Sequence, residues 1–300
     1  VQPVLSIVIV SYNTADLLPG CIESLLAQDA GPLQILVVDN ASADESVDIL
    51  LHRCYRDLEL IVNQENMGFA RACNQGLRQA RADLVFFLNP DTMVQPGCCR
   101  AMLDFMSARP EVGLAGAAIL DQDLQPHPSV EYTYPGHHYV EDELDGLAGE
   151  IAWLLGAALV GRTDLLRSLG GFDEDFFLYG EDIDLCLRMR KDGHPLAYIP
   201  QARVVHLEGQ SERGAPAEDI LVRKIRAELL FFAHHYRRRT IQRIVRARLL
   251  QAGWRLLTLR LALLLARPGE SVEYKLVKYR VVWRMYLRCL RRDDWLGTEQ

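Results

Sequence analysis

The sequence predicts an α/β fold: a mostly parallel sheet with helices on both faces, continued by a basic helical extension. Three observations carry this. Over the first ninety residues, apolar runs of strand length alternate with amphipathic stretches across short connections, as a parallel sheet covered on both faces requires. Each apolar run closes on polar residues, and in open sheets of this kind ligands bind beyond the carboxyl ends of the strands. The charge also changes sign along the chain. Residues 1–220 hold 14 Lys/Arg against 34 Asp/Glu, a net of −20, while residues 221–300 hold 19 against 6, a net of +13. The expected organisation is an acidic body over 1–220 and a basic amphipathic tail over 221–300.

In chain order, Leu5 to Val10 is a buried strand, Ala15 to Gln28 a helix, and Leu33 to Asp39 a second strand. The helix Ala43 to Cys54, the strand Leu58 to Asn63, the helix Phe69 to Ala80 and the strand Asp83 to Leu88 complete the regular series. After Asp91 the alternation weakens. A strand near Gly113 to Ile119 leads into a polar stretch containing Pro and His, Asp121 to Gly149, expected as a hairpin and a mobile loop. Ile151 to Val160 has the composition of one buried strand, and Leu169-Gly170-Gly171-Phe172 that of a tight turn. An acidic helix follows, then strand-like Leu196 to Ile199 and Arg203 to His206.

An acidic body is a poor surface for nucleic acid, so none is expected as a partner, but an acidic cleft can hold a divalent cation that in turn holds a phosphate. From Leu229 to Ala266 the tail mixes apolar residues with Arg237, Arg238, Arg239, Arg243, Arg246, Arg248, Arg255 and Arg260, with no apolar run long enough to span a bilayer. A basic amphipathic helix on an anionic membrane is the expectation. The alternative is a helical pair packed on its own body or on a second subunit, a homodimer. Seven cysteines without C-x-x-C spacing point to reduced thiols, and the chain passes directly into a strand without a signal peptide. Both lead to the expectation of a cytoplasmic protein.

Three carboxylates fall within four residues in Glu181-Asp182-Ile183-Asp184. On a helix starting near Gly180, Glu181 and Asp184 share a face, whereas Asp182 lies with Cys186 and Arg190. Asp182 therefore meets a separate environment, where its pKa can be set for proton abstraction. The plain alternative is an acidic N-terminus complementing the macrodipole, with Asp184 paired to Arg188. After the first strand, Ser11-Tyr12-Asn13-Thr14 stands where a dinucleotide fold would carry G-x-G-x-x-G, which argues against hydride transfer and against a triphosphate loop. The turn instead offers an aromatic ring and an amide to a nucleobase. Asp39 can accept from a base N–H or cap the following helix. Asp91, closing the turn Asn89-Pro90-Asp91, can coordinate Mg²⁺ or Mn²⁺ on a pyrophosphate or serve ordinary turn chemistry. His206 at the end of a later strand would favour Mn²⁺ if it lies near Asp91.

Taken in order, several segments resemble glycosyltransferase family 2, inverting enzymes of the GT-A fold. They are Ser6 to Asn13, Val37 to Ser42, Asn66-Met67-Gly68-Phe69-Ala70 with Asn74-Gln75-Gly76, Leu88 to Asp91, Trp153 to Ala157, Gly170 to Asp173, Gly180 to Asp184 and Val204 to His206. The resemblance covers roughly residues 4 to 235. It implies a nucleotide-sugar donor held by Ser11, Tyr12, Asn13, Asp39, Asn40, Gly68, Asn74 and Asn89, and a metal, Mn²⁺ or Mg²⁺, on Asp91 and His206. It also implies an acceptor beside Trp153 and Glu181, with Asp182 as general base. The family's D-x-D motif is here Asn89-x-Asp91, and the amide in place of one carboxylate gives His206 more of the coordination. The N-x-G-F-A and L-N-P-D variants are most similar to the rhamnosyl- and galactofuranosyltransferase branch. That implies dTDP-L-rhamnose as donor, or alternatively a UDP-sugar, with a glycan or lipid-linked glycan as acceptor on the inner face of the cell membrane. A non-catalytic nucleotide-sugar-binding scaffold could dispense with Asp182, and a glycoside hydrolase would need no nucleobase site.

Overall fold

A computed structural model describes residues 2–53, 55, 58–207, 216–265 and 270–291. Cys54 and Ala266, at the ends of two expected segments, lie outside the described residues. Two compact units are present: residues 1–134 with 146–213, and residues 135–145 with 214–300.

The first unit is built on strands β1 (Leu5–Ser11), β2 (Leu33–Asp39), β3 (Leu58–Val62), β4 (Leu84–Leu88), β5 (Thr92–Val94), β6 (Leu114–Leu120), β9 (Ala158–Arg162) and β10 (Leu196–His206), which form one sheet in the order β3-β2-β1-β4-β9-β6-β10-β5. β7 (Val130–Glu131) and β8 (Trp153–Leu154) form a separate two-stranded ribbon. β1 to β4, β6 and β10 run one way; β9 and β5 oppose them. Every residue of β1 is buried because both faces are covered, and alternate side chains enter two different cores. Leu5, Ile7 and Ile9 pack with α1 (Leu18–Leu26) and α4 (Cys98–Ala108), while Val8 and Val10 pack with α3 (Phe69–Gln79), α5 (Thr163–Ser168) and α6 (Glu181–Lys191). The remaining helix of this unit, α2 (Ser46–Arg53), adds Leu50 to the first core.

The expected series of alternating elements is present through Leu88. Three features differ beyond it. α4 was not expected, although Cys98, Met102 and Met106 recur at spacings of four and are fully buried; cysteine and methionine carry a weak apolar signal in sequence. The run Ile151 to Val160 is two strands, not one. It breaks at Leu155–Ala157, and β9 then enters the sheet antiparallel between β4 and β6. The third difference is the path after β4. Leu88 and Thr92 are four residues apart, a reach of about 14 Å, yet β4 and β5 are four strand spacings apart, about 19 Å in a flat sheet. The sheet is therefore curled. β10 supplies part of the bend: its register shifts between Ile199 and Arg203, where Pro200 cannot donate to a ladder.

The second unit contains α7 (Ala217–His235), α8 (Arg238–Leu265) and α9 (Glu270–Arg291). Glu228 of α7 ties the three together, accepting from Arg248 of α8 at 3.0 Å and from the buried Tyr286 of α9 at 2.7 Å. Residues 135–145, expected within a mobile loop, belong to this unit. Tyr236 donates to the Pro135 carbonyl at 2.7 Å, Thr240 to Glu143 at 2.5 Å, and Arg237 and Arg243 pair with Asp142 and Glu141. No described helix is long and apolar enough to cross a membrane.

Asn74 joins α3 to the Gly170-Gly171 turn. Its amide donates to the Phe172 carbonyl at 2.8 Å and to Glu174 at 3.1 Å, and accepts from the Phe172 N–H at 2.9 Å. Gly171 has φ +72° and approaches so closely that a Cβ there would stand 2.2 Å from the Asn74 carbonyl oxygen. Asn74→Ala leaves buried backbone groups unpaired and is expected to cost about 1–3 kcal/mol. The check is a lower denaturant midpoint at unchanged m-value; an unshifted midpoint would show that the clamp is energetically idle.

Candidate active site

The strand directions put the chemistry on one edge. Ser11, Asp39, Asn89 and His206 all stand at or just beyond carboxyl ends of strands running the same way. β9 runs the other way, so the residues just before it, Leu155 to Ala157, lie on that same edge. Gly156 there donates its N–H to Asp182 Oδ2 at 2.9 Å, which brings the start of α6 to the edge.

Each of the three α6 carboxylates has a different environment. Asp184 is buried and bonded to Arg188, with Oδ2 at 2.7 Å from Nη2 and 2.8 Å from Nε. Arg188 also donates to the carbonyls of Leu169 and Gly171, so this pair fastens α6 to the Gly-Gly turn. It fulfils the structural alternative expected for Asp184. Glu181 is buried, and its Oε2 has no hydrogen-bond partner. Burial, with the neighbouring charge of Asp182 next in size, raises its pKa to about 8. Asp182 is half-buried and accepts from Gly156 and, at 2.8 Å, from the Ile183 N–H. Burial raises its pKa, and those two N–H groups offset only part of the rise. Asp182 thus differs from its neighbours as the helical spacing predicts, being held in place yet open to solvent.

At the other side of the edge, β5 pairs antiparallel with β10 in a register that sets Thr92 opposite His206, so Asp91 stands beside the imidazole. Asp91 Oδ1 lies 3.2 Å from His206 Nε2. Both residues are nearly enclosed, and Asp91 Oδ1 and His206 Nδ1 are buried atoms without a hydrogen bond. Two donors on one divalent ion, at bonds of about 2.1 Å and a right angle, are about 3.0 Å apart. One oxygen and one nitrogen at this separation fit such an ion.

The expected donor-binding residues divide into two groups. Tyr12 is half-exposed on the edge, and Asn89 is partly exposed there. Others fasten the loops. Ser11 bonds Thr14 at 2.9 Å. Asn13, at φ +54°, accepts from the Ala43 N–H and donates its own N–H to Ser42. Asp39 is fully buried, and both its oxygens bond Ser42, at 2.9 and 2.6 Å, so it caps the turn after β2 instead of starting α2, which begins at Ser46. Asn40 uses its whole amide internally, donating to Asn66 and Gly68 and accepting from Asn63 and Met67. Asn74 holds the Gly-Gly turn and is buried away from the edge. Gly68, at φ +88°, lets the Phe177 segment cross close by: a Cβ there would meet the Phe177 carbonyl at 2.8 Å. Trp153 lies half-buried in the β7–β8 ribbon and donates to the Thr133 carbonyl at 3.2 Å. Two participants escaped the sequence reading as individual residues. The Gly156 N–H carries no side-chain signal, and Phe177, 54% exposed on the loop before α6, reads as one more apolar residue.

Residues 6–142 match the family described as Glycosyl transferase family 2, and residues 84–286 match Glycosyl transferase family group 2. The chain is 29% identical over 247 residues, 72% of its length, to N-acetylglucosaminyl-diphospho-decaprenol L-rhamnosyltransferase of Mycobacterium tuberculosis (strain CDC 1551 / Oshkosh), of which it covers 80%. In structure it is similar to the mannosyltransferase PcManGT from Pyrobaculum calidifontis in complex with GDP-Man and Mn²⁺, with a TM-score of 0.60 at 18% identity over 97% of this chain and 88% of that one. A second similar structure is S. aureus TarS 1-349 in complex with UDP-GlcNAc, with a TM-score of 0.54 at 17% identity over 75% of this chain and 66% of that one. Likenesses this distant in sequence speak for the fold alone. The curled sheet, the carboxylate at its functional edge and the two family matches, one spanning most of the chain, make this protein a glycosyltransferase of family 2 with a GT-A fold.

Proposed function

We propose that the chain is an inverting transferase that moves L-rhamnose from dTDP-L-rhamnose to a hydroxyl of a lipid-linked glycan. The observation that carries the reaction is Asp182, partly open at the sheet edge and fixed by two backbone N–H groups, while Glu181 and Asp184 are held in other states. The sugar assignment is supported by the 29% identity to the rhamnosyltransferase, whose name carries a polyprenyl-diphosphate acceptor. Asp182 takes the proton of the acceptor hydroxyl as the oxygen attacks the anomeric carbon from the face opposite the leaving group. The bond to the nucleoside diphosphate breaks, its electron pair leaves with the diphosphate, and the configuration inverts. Tyr12 and the Asn13–Asp39 turn system hold the nucleobase side, and Trp153 offers an apolar face to the acceptor sugar. A divalent cation held by Asp91 and His206 would supply positive charge to the departing diphosphate. Location at the inner face of the cell membrane, with the basic tail against anionic lipid, suits a lipid-linked acceptor.

Asp182→Asn keeps the shape of the site and removes the base. Turnover is expected to fall ~10²-fold or more, with donor affinity unchanged within a few-fold. Coupled detection of dTDP release measures it, and more than a tenth of wild-type turnover would exclude Asp182 as base. In calorimetry, Asp91→Ala is expected to weaken donor binding and make it insensitive to Mn²⁺; persistence of the metal dependence would move the ion elsewhere. The pH dependence of stability follows from Glu181. Its folded pKa of about 8 lies above the ordinary glutamate value of 4.5, so the folded state holds an extra proton and stability declines as pH rises through that window. Glu181→Gln removes the term, so the melting temperature of the variant minus that of the wild type should increase from pH 5 to pH 8.5. A difference constant with pH would contradict a protonated Glu181.

A further inference from the structure

α8 carries two apolar faces, and only one of them is covered. Ile244, Val245, Leu249 and Ala252 are buried within the helical unit. On the other side Leu250, Trp254, Leu257 and Leu261 are 76%, 65%, 52% and 50% exposed. Their spacings of four, three and four residues place them within about 60° of one another around the helix axis. Large apolar side chains gathered this way on a surface mark a site of interaction. The same stripe continues toward the helix N-terminus as Arg239, Arg243 and Arg246, all exposed and within about 50° of its centre line. Arg243 pairs with Glu141, whereas Arg239, Arg246, Arg255 and Arg260 make no ion pair among the described residues.

Charge identifies the occupant. Residues 238–265 contain seven arginines and no acidic residue. A second copy laying the same helix against this one would bring seven more arginines and nothing to neutralise them. Anionic lipid headgroups supply that charge, and the acyl region beneath them takes up Leu and Trp. We propose that the stripe Leu250–Trp254–Leu257–Leu261 enters the outer part of an anionic membrane leaflet, with Arg239, Arg243 and Arg246 on its headgroups. This rests on the reading of a lipid-linked acceptor and goes beyond it, because it separates an inserted apolar stripe from simple attraction of a basic tail to a charged surface. The ionic part is screened by salt; the inserted part is not.

The test uses the full chain with phosphatidylglycerol-containing and pure phosphatidylcholine vesicles, comparing wild type with Leu250→Gln/Trp254→Gln/Leu257→Gln. These side chains are exposed, so the variant should keep the wild-type melting temperature, which is verified first. Wild type is expected to float with anionic vesicles and to retain part of that binding in 1 M salt, while the variant loses the salt-resistant part, about tenfold or more in partitioning. Tryptophan fluorescence should be quenched by bromolipids in wild type and less so in Trp254→Phe. Equal flotation of variant and wild type in high salt, absence of flotation, or a wild-type dimer in sedimentation that the triple variant dissociates would each overturn the proposal. Transfer to a short-chain, water-soluble acceptor is measured alongside and should be the same in both proteins. A protein that floats as expected but transfers to no acceptor would refute the catalytic reading and leave the stripe standing.

Discussion

Three residues, Asn89 to Asp91, connect the middle of the sheet to its far edge, and that short link shapes the site. Leu88 ends a central strand, Thr92 begins the strand beyond β10, and the chain between them cannot cross a flat sheet. The sheet has to curl, and the register shift at Pro200 lets β10 follow. Because β5 pairs with the last residues of β10, the curl delivers His206 to Asp91. β9 then fills the sheet between β4 and β6 in the opposite direction, which turns the Gly156 peptide toward the same edge. The Asp91–His206 pair and the placing of the α6 carboxylate are thus both consequences of how the strands are threaded.

The carboxylates of α6 show how environment assigns roles to like residues. Three acids at a helix N-terminus share the macrodipole, which lowers the cost of each charge. Their differences come from what they touch. Asp184 has a guanidinium, Glu181 has an apolar surrounding and an unpaired oxygen, and Asp182 has two N–H donors and solvent. Burial raises the pKa of both Glu181 and Asp182, and the charge of Asp182 adds to the rise at Glu181, so the adjacent pair resists carrying two negative charges. A base beside a neutral acid is easier to keep ionised than one beside a second anion.

Around this edge, amides do the fastening. Asn40, Asn63, Asn66 and Gln75 form a connected set that fixes the loop into α3, and Asn13 ties the first turn to the second. Loops on such an edge tend to be mobile, and internal hydrogen bonds of this kind hold the segments carrying the exposed Tyr12 and Gly68 in a fixed geometry.

The alternation of apolar runs and amphipathic stretches determined the fold class, because strands covered on both faces admit little but Ile, Leu and Val, and the polar strand ends marked the functional edge. Helical spacing was enough to separate Asp182 from Glu181 and Asp184, since side-chain direction on a helix depends only on residue count. Tertiary structure decided the rest. Whether Asn40 and Asn74 contact a ligand or close a loop depends on partners 23 to 100 residues away, and both close loops. The division of Ile151–Val160 into two strands, and the Gly156 N–H it frees for Asp182, depend on β4 and β6 accepting an antiparallel neighbour. The place of residues 135–145 in the helical unit depends on Tyr236, Arg237 and Thr240 meeting them. Periodicity is local and therefore readable in sequence; pairing between distant segments is a property of the folded chain, because it exists only once the intervening loops are closed.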